Sequence, residues 1–230
     1  MHHWQAALKI GGYDFVMNMD TLVTMWLSMG ILIAIAFLTS RNISLVPTKL
    51  QMVGEGIISY LVNINKDSMG EKEAMKHSPL LLTLFFFILT ANLIGQLPWR
   101  LIHLHQGELA APTNDINMTA AMAIIVSVYY IFYGLKKKKL KFFFPGFNLE
   151  GIIMMLVEFL EHVLRPFSLT LRLFANILAG EMLVFTFVGM CAYFLPLPFM
   201  LFEIFVALIQ ALVFTLLSSS YIALAISEEH

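Results

Sequence analysis

The chain has 230 residues, 59% of them hydrophobic and 13% charged, with a formal net charge of −1, and its mean hydropathy is +0.81. A soluble domain of this size is nearer half apolar and a quarter charged, so this balance excludes an ordinary soluble enzyme and identifies an integral membrane protein, read as one membrane domain over 1–230. The single cysteine, Cys191, leaves no internal disulfide to form.

In chain order, Met1 to Asp20 carries one lysine and no small-residue cleavage site, and reads as a mature N-terminus, not a signal peptide. Residues 22–39 form the first apolar run long enough to span a bilayer. Between Pro47 and Lys66 apolar residues recur at Leu50, Val53, Ile57, Leu61 and Ile64, the spacing of an amphipathic helix lying at the interface. A solvated stretch from Lys66 to Lys76 follows. Pro79 opens the second span, 80–97, with Asn92 inside it and Trp99 and Arg100 as an interfacial anchor. Residues 101–115 form a polar loop, and 116–135 is the third span.

The third span stops at Lys136–Lys139 and Lys141, and lysine-rich short loops stay in the cytoplasm. With that end inside, Arg41, Lys49, Lys66, Lys72 and Lys76 also fall inside, and only Lys9 and Arg100 fall outside. The N-terminus is then external and the C-terminus cytoplasmic. Pro145-Gly146 precedes a segment over 149–190 that as a helix is about 60 Å long, twice the ~30 Å hydrocarbon core, so it has to tilt steeply. Pro166 offers a place to bend it. Pro196 and Pro198 mark an external turn, and 199–226 returns. The predicted class is an all-α integral membrane protein with about five membrane helices plus an interfacial amphipathic helix, the last two forming a long, steeply tilted hairpin.

The long segment holds charges where charges are costly: Glu158, Glu161, Arg165, Arg172 and Glu181. At about 100° per residue, Glu161, Arg165, Ser168, Arg172, Asn176 and Ala179 share one face, small enough for close approach by another helix. Arg172 either pairs structurally with a buried carboxylate or serves a function; its nearest same-face acid, Glu161, is about three turns away. Arg165, beside Pro166, reads as a snorkelling side chain. Glu181 and Glu203 lie on opposite arms of the hairpin at similar depth, where two close carboxylates share a proton, or else each is a helix-end acid. Gln210, two turns after Glu203, either joins that path or knits helices together. Asn92, Asp115 and Asn117 line the same external path, or Asp115 caps the third span. Glu158 and Glu161 suit an inner exit path or a solvated helix end. His103, His105 and Glu108 read as a solvated loop rather than a metal cluster. No nucleotide loop, nucleophile constellation or nucleic-acid patch is present, and no cofactor is expected.

The run Leu171-Arg172-Leu173-Phe174-Ala175-Asn176-Ile177-Leu178-Ala179-Gly180-Glu181 closely resembles the signature of subunit a of F-type ATP synthases. Ile209-Gln210-Ala211-Leu212-Val213-Phe214 resembles its final segment, and Pro112-Thr113-Asn114-Asp115-Ile116-Asn117 the form found in plastid-type members. The resemblance implies a non-catalytic, ion-translocating (proton) stator subunit of a bacterial inner membrane. Its implied partners are the ring of c subunits, b-type peripheral stalk subunits, membrane lipid and, indirectly, the F1 ATPase head, with no nucleic acid. It implies Arg172 as the essential arginine and Asn176, Glu181, Glu203 and Gln210 as polar channel positions. Two departures stand out: Ala175 occupies a place where many members have glycine, and Glu203 one where many bacterial members have histidine. The competing class is a self-contained secondary transporter or channel, which often shows internal repeats; none is visible here. A membrane-embedded enzyme would need a catalytic cluster, and His103, His105 and Glu108 are its only candidates.

Overall fold

The computed structural model describes residues 5–10, 13–41, 48–96, 111–139, 149–190 and 196–227. Trp99, Arg100, His103, His105, Glu108, Lys141 and Cys191 lie outside them. A two-stranded antiparallel hairpin, β1 (Gln5–Ile10) and β2 (Tyr13–Asn18), comes first. Six helices follow: α1 (Met19–Arg41), α2 (Lys49–Met69), α3 (Glu71–Gly95), α4 (Ile116–Lys138), α5 (Leu149–Met190) and α6 (Pro196–Ile226). A 3₁₀ turn, Pro112–Asn114, precedes α4.

Five of the helices, all but α2, are long and apolar enough to cross a membrane. α2 begins at an N-cap, with Thr48 Oγ1 accepting the Gln51 N–H at 3.4 Å, and leaves Val53 and Ile57 exposed while Leu61 is buried. The charged stretch expected to separate α2 from α3 as a solvated segment is helical on both sides of Gly70. Gly70 alone breaks the run, at φ 79°, a conformation that only glycine adopts freely. Lys66 and Glu71 pair across it at 3.0 Å. Consequently α3 starts at Glu71 and Pro79 lies inside it instead of opening it. The Thr83 hydroxyl takes up the Pro79 carbonyl at 2.8 Å.

α1 has an inverted pattern. Its buried residues are the polar Asp20, Thr21, Thr24 and Ser28, whereas Trp26, Ile33 and Phe37 are exposed. The hydroxyls of Thr24 and Ser28 donate to the carbonyls one turn back, at 2.9 and 2.8 Å, which satisfies their hydrogens inside an apolar helix. α4 closes with Lys136, Lys137 and Lys138 in its last turn, where the helix dipole favours cations. α5 has 42 residues, about 63 Å at the helical rise, too long to stand upright in a ~30 Å hydrocarbon core. Pro166 sits within it, and the Thr170 hydroxyl bonds the Pro166 carbonyl at 2.8 Å.

The chain packs as two units. The first comprises residues 1–46, 86–115 and 174–211. Its core holds Ile88, Ala91, Ile94, Ile177, Ala207 and Ala211, and α1 packs there on β1 and the Pro112–Asn114 turn. The second comprises residues 47–85, 116–173 and 212–230. Its core is built on Leu81, Phe85, Val126, Tyr130, Leu169, Leu173, Phe214 and Ile222.

Candidate functional site

In the first unit the C-terminal part of α5 and the N-terminal part of α6 run antiparallel. Asn176 meets Gln210, Gly180 meets Glu203 and Phe187 stacks on Phe199, so one index rises as the other falls. Asn176 Nδ2 donates to Gln210 Oε1 at 2.6 Å. Gly180 is where the two arms come closest: a Cβ added there would lie 2.6 Å from Glu203 Oε1. The absent side chain is what leaves room for the carboxyl group. Glu203 is 8% exposed and Gln210 3%.

A second approach brings the segment before α4 onto this pair. A Cβ at Gly95 would lie 2.2 Å from the Cβ of Ala111, so glycine at the end of α3 is what admits Ala111 there. Seated in this way, Ala111 donates its backbone N–H to Glu181 Oε1 at 3.3 Å, and Asn114 Nδ2 donates to Glu181 Oε2. Thr113 donates its hydroxyl to Asn92 Oδ1 at 2.7 Å. Asp115 Oδ2 accepts from Asn18 Nδ2 at 2.8 Å and from the Thr21 hydroxyl at 3.4 Å, which ties the end of β2 and the start of α1 to the same cluster. The backbone of Asp115 is extended immediately before α4, as a helix cap requires. Asn117 is exposed on the first turn of α4, in the second unit.

Four buried polar atoms of this cluster have no hydrogen-bond partner among the described residues: Asn92 Nδ2, Asn114 Oδ1, Glu203 Oε1 and Gln210 Nε2. Buried polar atoms are rarely left unsatisfied, and water is their usual partner. The arrangement is a buried polar cluster in which Glu181 and Glu203 are close enough to repel. Of the residues singled out from the sequence, the structure brings Asn92, Asp115, Asn176, Glu181, Glu203 and Gln210 into this cluster; Asn18, Gly95, Thr113, Asn114 and the buried stripe of α1 join them without having been singled out. Asp20, Thr24 and Ser28, four residues apart in an otherwise apolar run, were the available signal for that stripe.

Arg172 is half-buried on α5. Leu169, Leu173 and Ile177 on one side of it are buried, whereas Ser168, Ala175, Asn176 and Ala179 are exposed. Among the described residues no carboxylate pairs with Arg172; the ion pairs belong to Glu71, Glu73 and Glu161. A guanidinium does not deprotonate in a protein, so this is a permanent cation on a small-residue face.

Elsewhere in the second unit several charges are paired. Arg165, expected to snorkel, is pinned: it pairs with Glu161 and lies over the rings of Tyr130 and Tyr221, at 5.8 and 5.3 Å. His162 packs on Tyr130 at 5.6 Å and hydrogen-bonds the Glu158 carbonyl at 2.6 Å, with the Glu158 side chain half-buried. At the start of α3, the fully buried His77 bonds the Tyr129 hydroxyl at 2.9 Å and lies 3.4 Å from Glu73, which also faces Lys76 and Lys137. Among the described residues no three His, Cys, Asp or Glu side chains are grouped to hold a metal ion.

Comparison with known proteins adds the decisive observation. The family described as "ATP synthase A chain" matches residues 22–223. The chain belongs to that family. It is 41% identical over 211 residues to the ATP synthase subunit a of Gloeobacter violaceus, covering 92% of this chain and 85% of that one. It is 38% identical over 218 residues to the chloroplastic ATP synthase subunit a of Oedogonium cardiacum, covering 94% and 86%. With the chloroplastic subunit a of Stigeoclonium helveticum the identity is 36% over 230 residues, covering 100% and 91%. The family match takes in Arg172 and every carboxylate of the cluster except Asp20, which precedes it together with Asn18. The ATP synthase A chain fold thus supplies both the helix that carries the arginine and the arms that bring Glu181 and Glu203 together.

Proposed function

We propose that this chain is the ion-translocating stator of an F-type ATP synthase, with Arg172 as the fixed cation past which a ring of c subunits turns. The reading is supported above all by one observation: within this family's motif, an arginine without an internal counter-ion stands on a face of small, exposed residues. A face of that kind suits a close-packed helical partner carrying the opposite charge.

The chemistry follows from charge. A ring carboxylate about 4 Å from a guanidinium gains roughly 4 kcal/mol at an effective dielectric of about 20, so it stays ionised as it passes Arg172. A proton enters through the polar cluster of Asn92, Asp115, Glu181, Glu203, Asn176 and Gln210 and neutralises a ring carboxylate. It leaves, after a turn of the ring, past Glu158 and Glu161. Because the two routes do not join, the proton has to ride the ring, and each charge crossing performs about 2.3 kcal/mol of work per 100 mV. The chain moves protons only; b-type stalk subunits hold it against the torque while the F1 head makes ATP. In a bacterial inner membrane the lysine run after α4 sets the cytoplasmic side, with the N-terminus outside.

The test is Arg172→Ala in the whole complex, reconstituted in vesicles with an imposed proton gradient. Gradient-driven ATP synthesis falls at least about a hundredfold, the size expected on losing the main electrostatic contact of a charge-transfer step, while the complex still assembles. Gradient-driven synthesis retained in that variant overturns the reading.

A further inference from the structure

The facing acids of the first unit are held in different ways. Glu181 has a donor on each oxygen, the Ala111 backbone N–H at 3.3 Å and the Asn114 amide. A backbone N–H can only donate, and donated bonds favour the charged form of a carboxylate. Glu203, by contrast, is buried, pressed against Gly180, and its Oε1 has no donor among the described residues. Its titratable neighbour is Glu181 on α5, and Gln96, just past α3, lies beside its carboxyl group. Asp115 is turned away, toward Asn18 and Thr21.

Burying a second negative charge beside a held one is strongly disfavoured, whereas a neutral acid there is far less so. We propose that the two acids have separate roles, Glu181 as a permanent anion and Glu203 as the one group that takes up and hands on the transported proton, with Asn114 the positioning residue that keeps them distinct. Gly95 acts at one further remove, because it is what lets Ala111 and Asn114 reach Glu181. The step balances simply. Water delivers a proton to the bare Oε1 of Glu203, and the resulting acid passes it to a ring carboxylate. Glu203 returns to its anion while Glu181 keeps its charge throughout. This division of roles rests on the cluster being the entry route proposed above.

The experiment uses the intact complex in vesicles. Infrared difference spectra between acid and alkaline pH contain a carbonyl band from a protonated carboxyl that is lost in Glu203→Gln, shifted in Glu203→Asp and kept in Glu181→Gln. A band lost in Glu181→Gln and kept in Glu203→Gln, or one insensitive to both, overturns the assignment. In Asn114→Ala, Glu181 loses a donor and competes for the proton, so the pH profile of ATP-driven proton pumping moves toward alkaline pH by about half a unit to one unit. Asn114→Ser keeps a donor and moves it less. A pumping rate that falls with no displacement of the profile means that Asn114 is only structural, and overturns its role. Gradient-driven synthesis surviving Arg172→Ala defeats the functional reading itself; with that variant dead, an infrared result of the wrong kind defeats only the division of roles.

Discussion

The ion-pair network of the second unit and the carboxylate–amide cluster of the first are built from different contacts. In the second unit a set of charges pairs off, Glu161 with Arg165, Glu73 with His77, Lys76 and Lys137, and Lys66 with Glu71, and Arg172 stands outside it. In the first, carboxylates meet amides, hydroxyls and each other, and among the described residues it contains no ion pair. Paired charges hold helices together at fixed geometry, whereas carboxylates held by amides and hydroxyls keep lone pairs available for exchange. The contrast teaches that the number of charged residues in a membrane segment says less than whether they close on one another.

Substitutions can break or sharpen this contrast. The largest effect is expected at Gly95, where a Cβ would meet backbone as well as side chain, the Cα of Ala111 lying 3.0 Å away. Gly95→Val should lower proton pumping by tenfold or more in assembled complexes, because the segment that holds Glu181 is displaced. Gly180→Ala is milder, since the obstructing atom is the end of a flexible glutamate that can swing aside; pumping should fall several-fold, about 1 kcal/mol in barrier terms, with assembly unchanged. His77→Phe in the second unit should cost about 1–2 kcal/mol of stability through the lost Tyr129 bond, read as an earlier thermal transition of the complex, with pumping within twofold of normal. Smallest of all, Arg165→Lys keeps a half-exposed pair with Glu161 and loses only the planar contact with two tyrosines, below about 1 kcal/mol. A His77→Phe variant that pumped as poorly as Gly180→Ala would erase the distinction between the two regions.

Much of the architecture is legible in the sequence because membrane helices declare themselves by unbroken apolar length. The long α5 shows this best: its apolar run continues through Arg172 with only Pro166 as a possible interruption. Glu181 and Glu203 are legible as neighbours because a hairpin's register is arithmetic about its turn. Other contacts have no periodic signature. Asn114 lies 67 residues from Glu181 in sequence, and nothing in the spacing of either announces the other. Gly95 reads as an ordinary helix terminus until Ala111 is seen against it. Arg165 misled for a different reason: snorkelling is the default for a lone arginine near a helix end, and the two tyrosines that hold it come from α4 and α6. Pro79 misled because proline most often begins a membrane helix, yet Gly70 had already ended the preceding one.

The length of α5 bears on biosynthesis. Its 42 residues exceed the roughly 20 that an insertion machinery admits as one upright segment, and Glu158, Glu161 and Arg165 burden its first half. Such a helix is poorly suited to entering the bilayer alone as it leaves the ribosome, and gains its place when α6 arrives to cover Asn176 and Gly180. A nascent chain arrested before α6 should therefore leave α5 open to added protease, and one arrested after Ile226 should protect it.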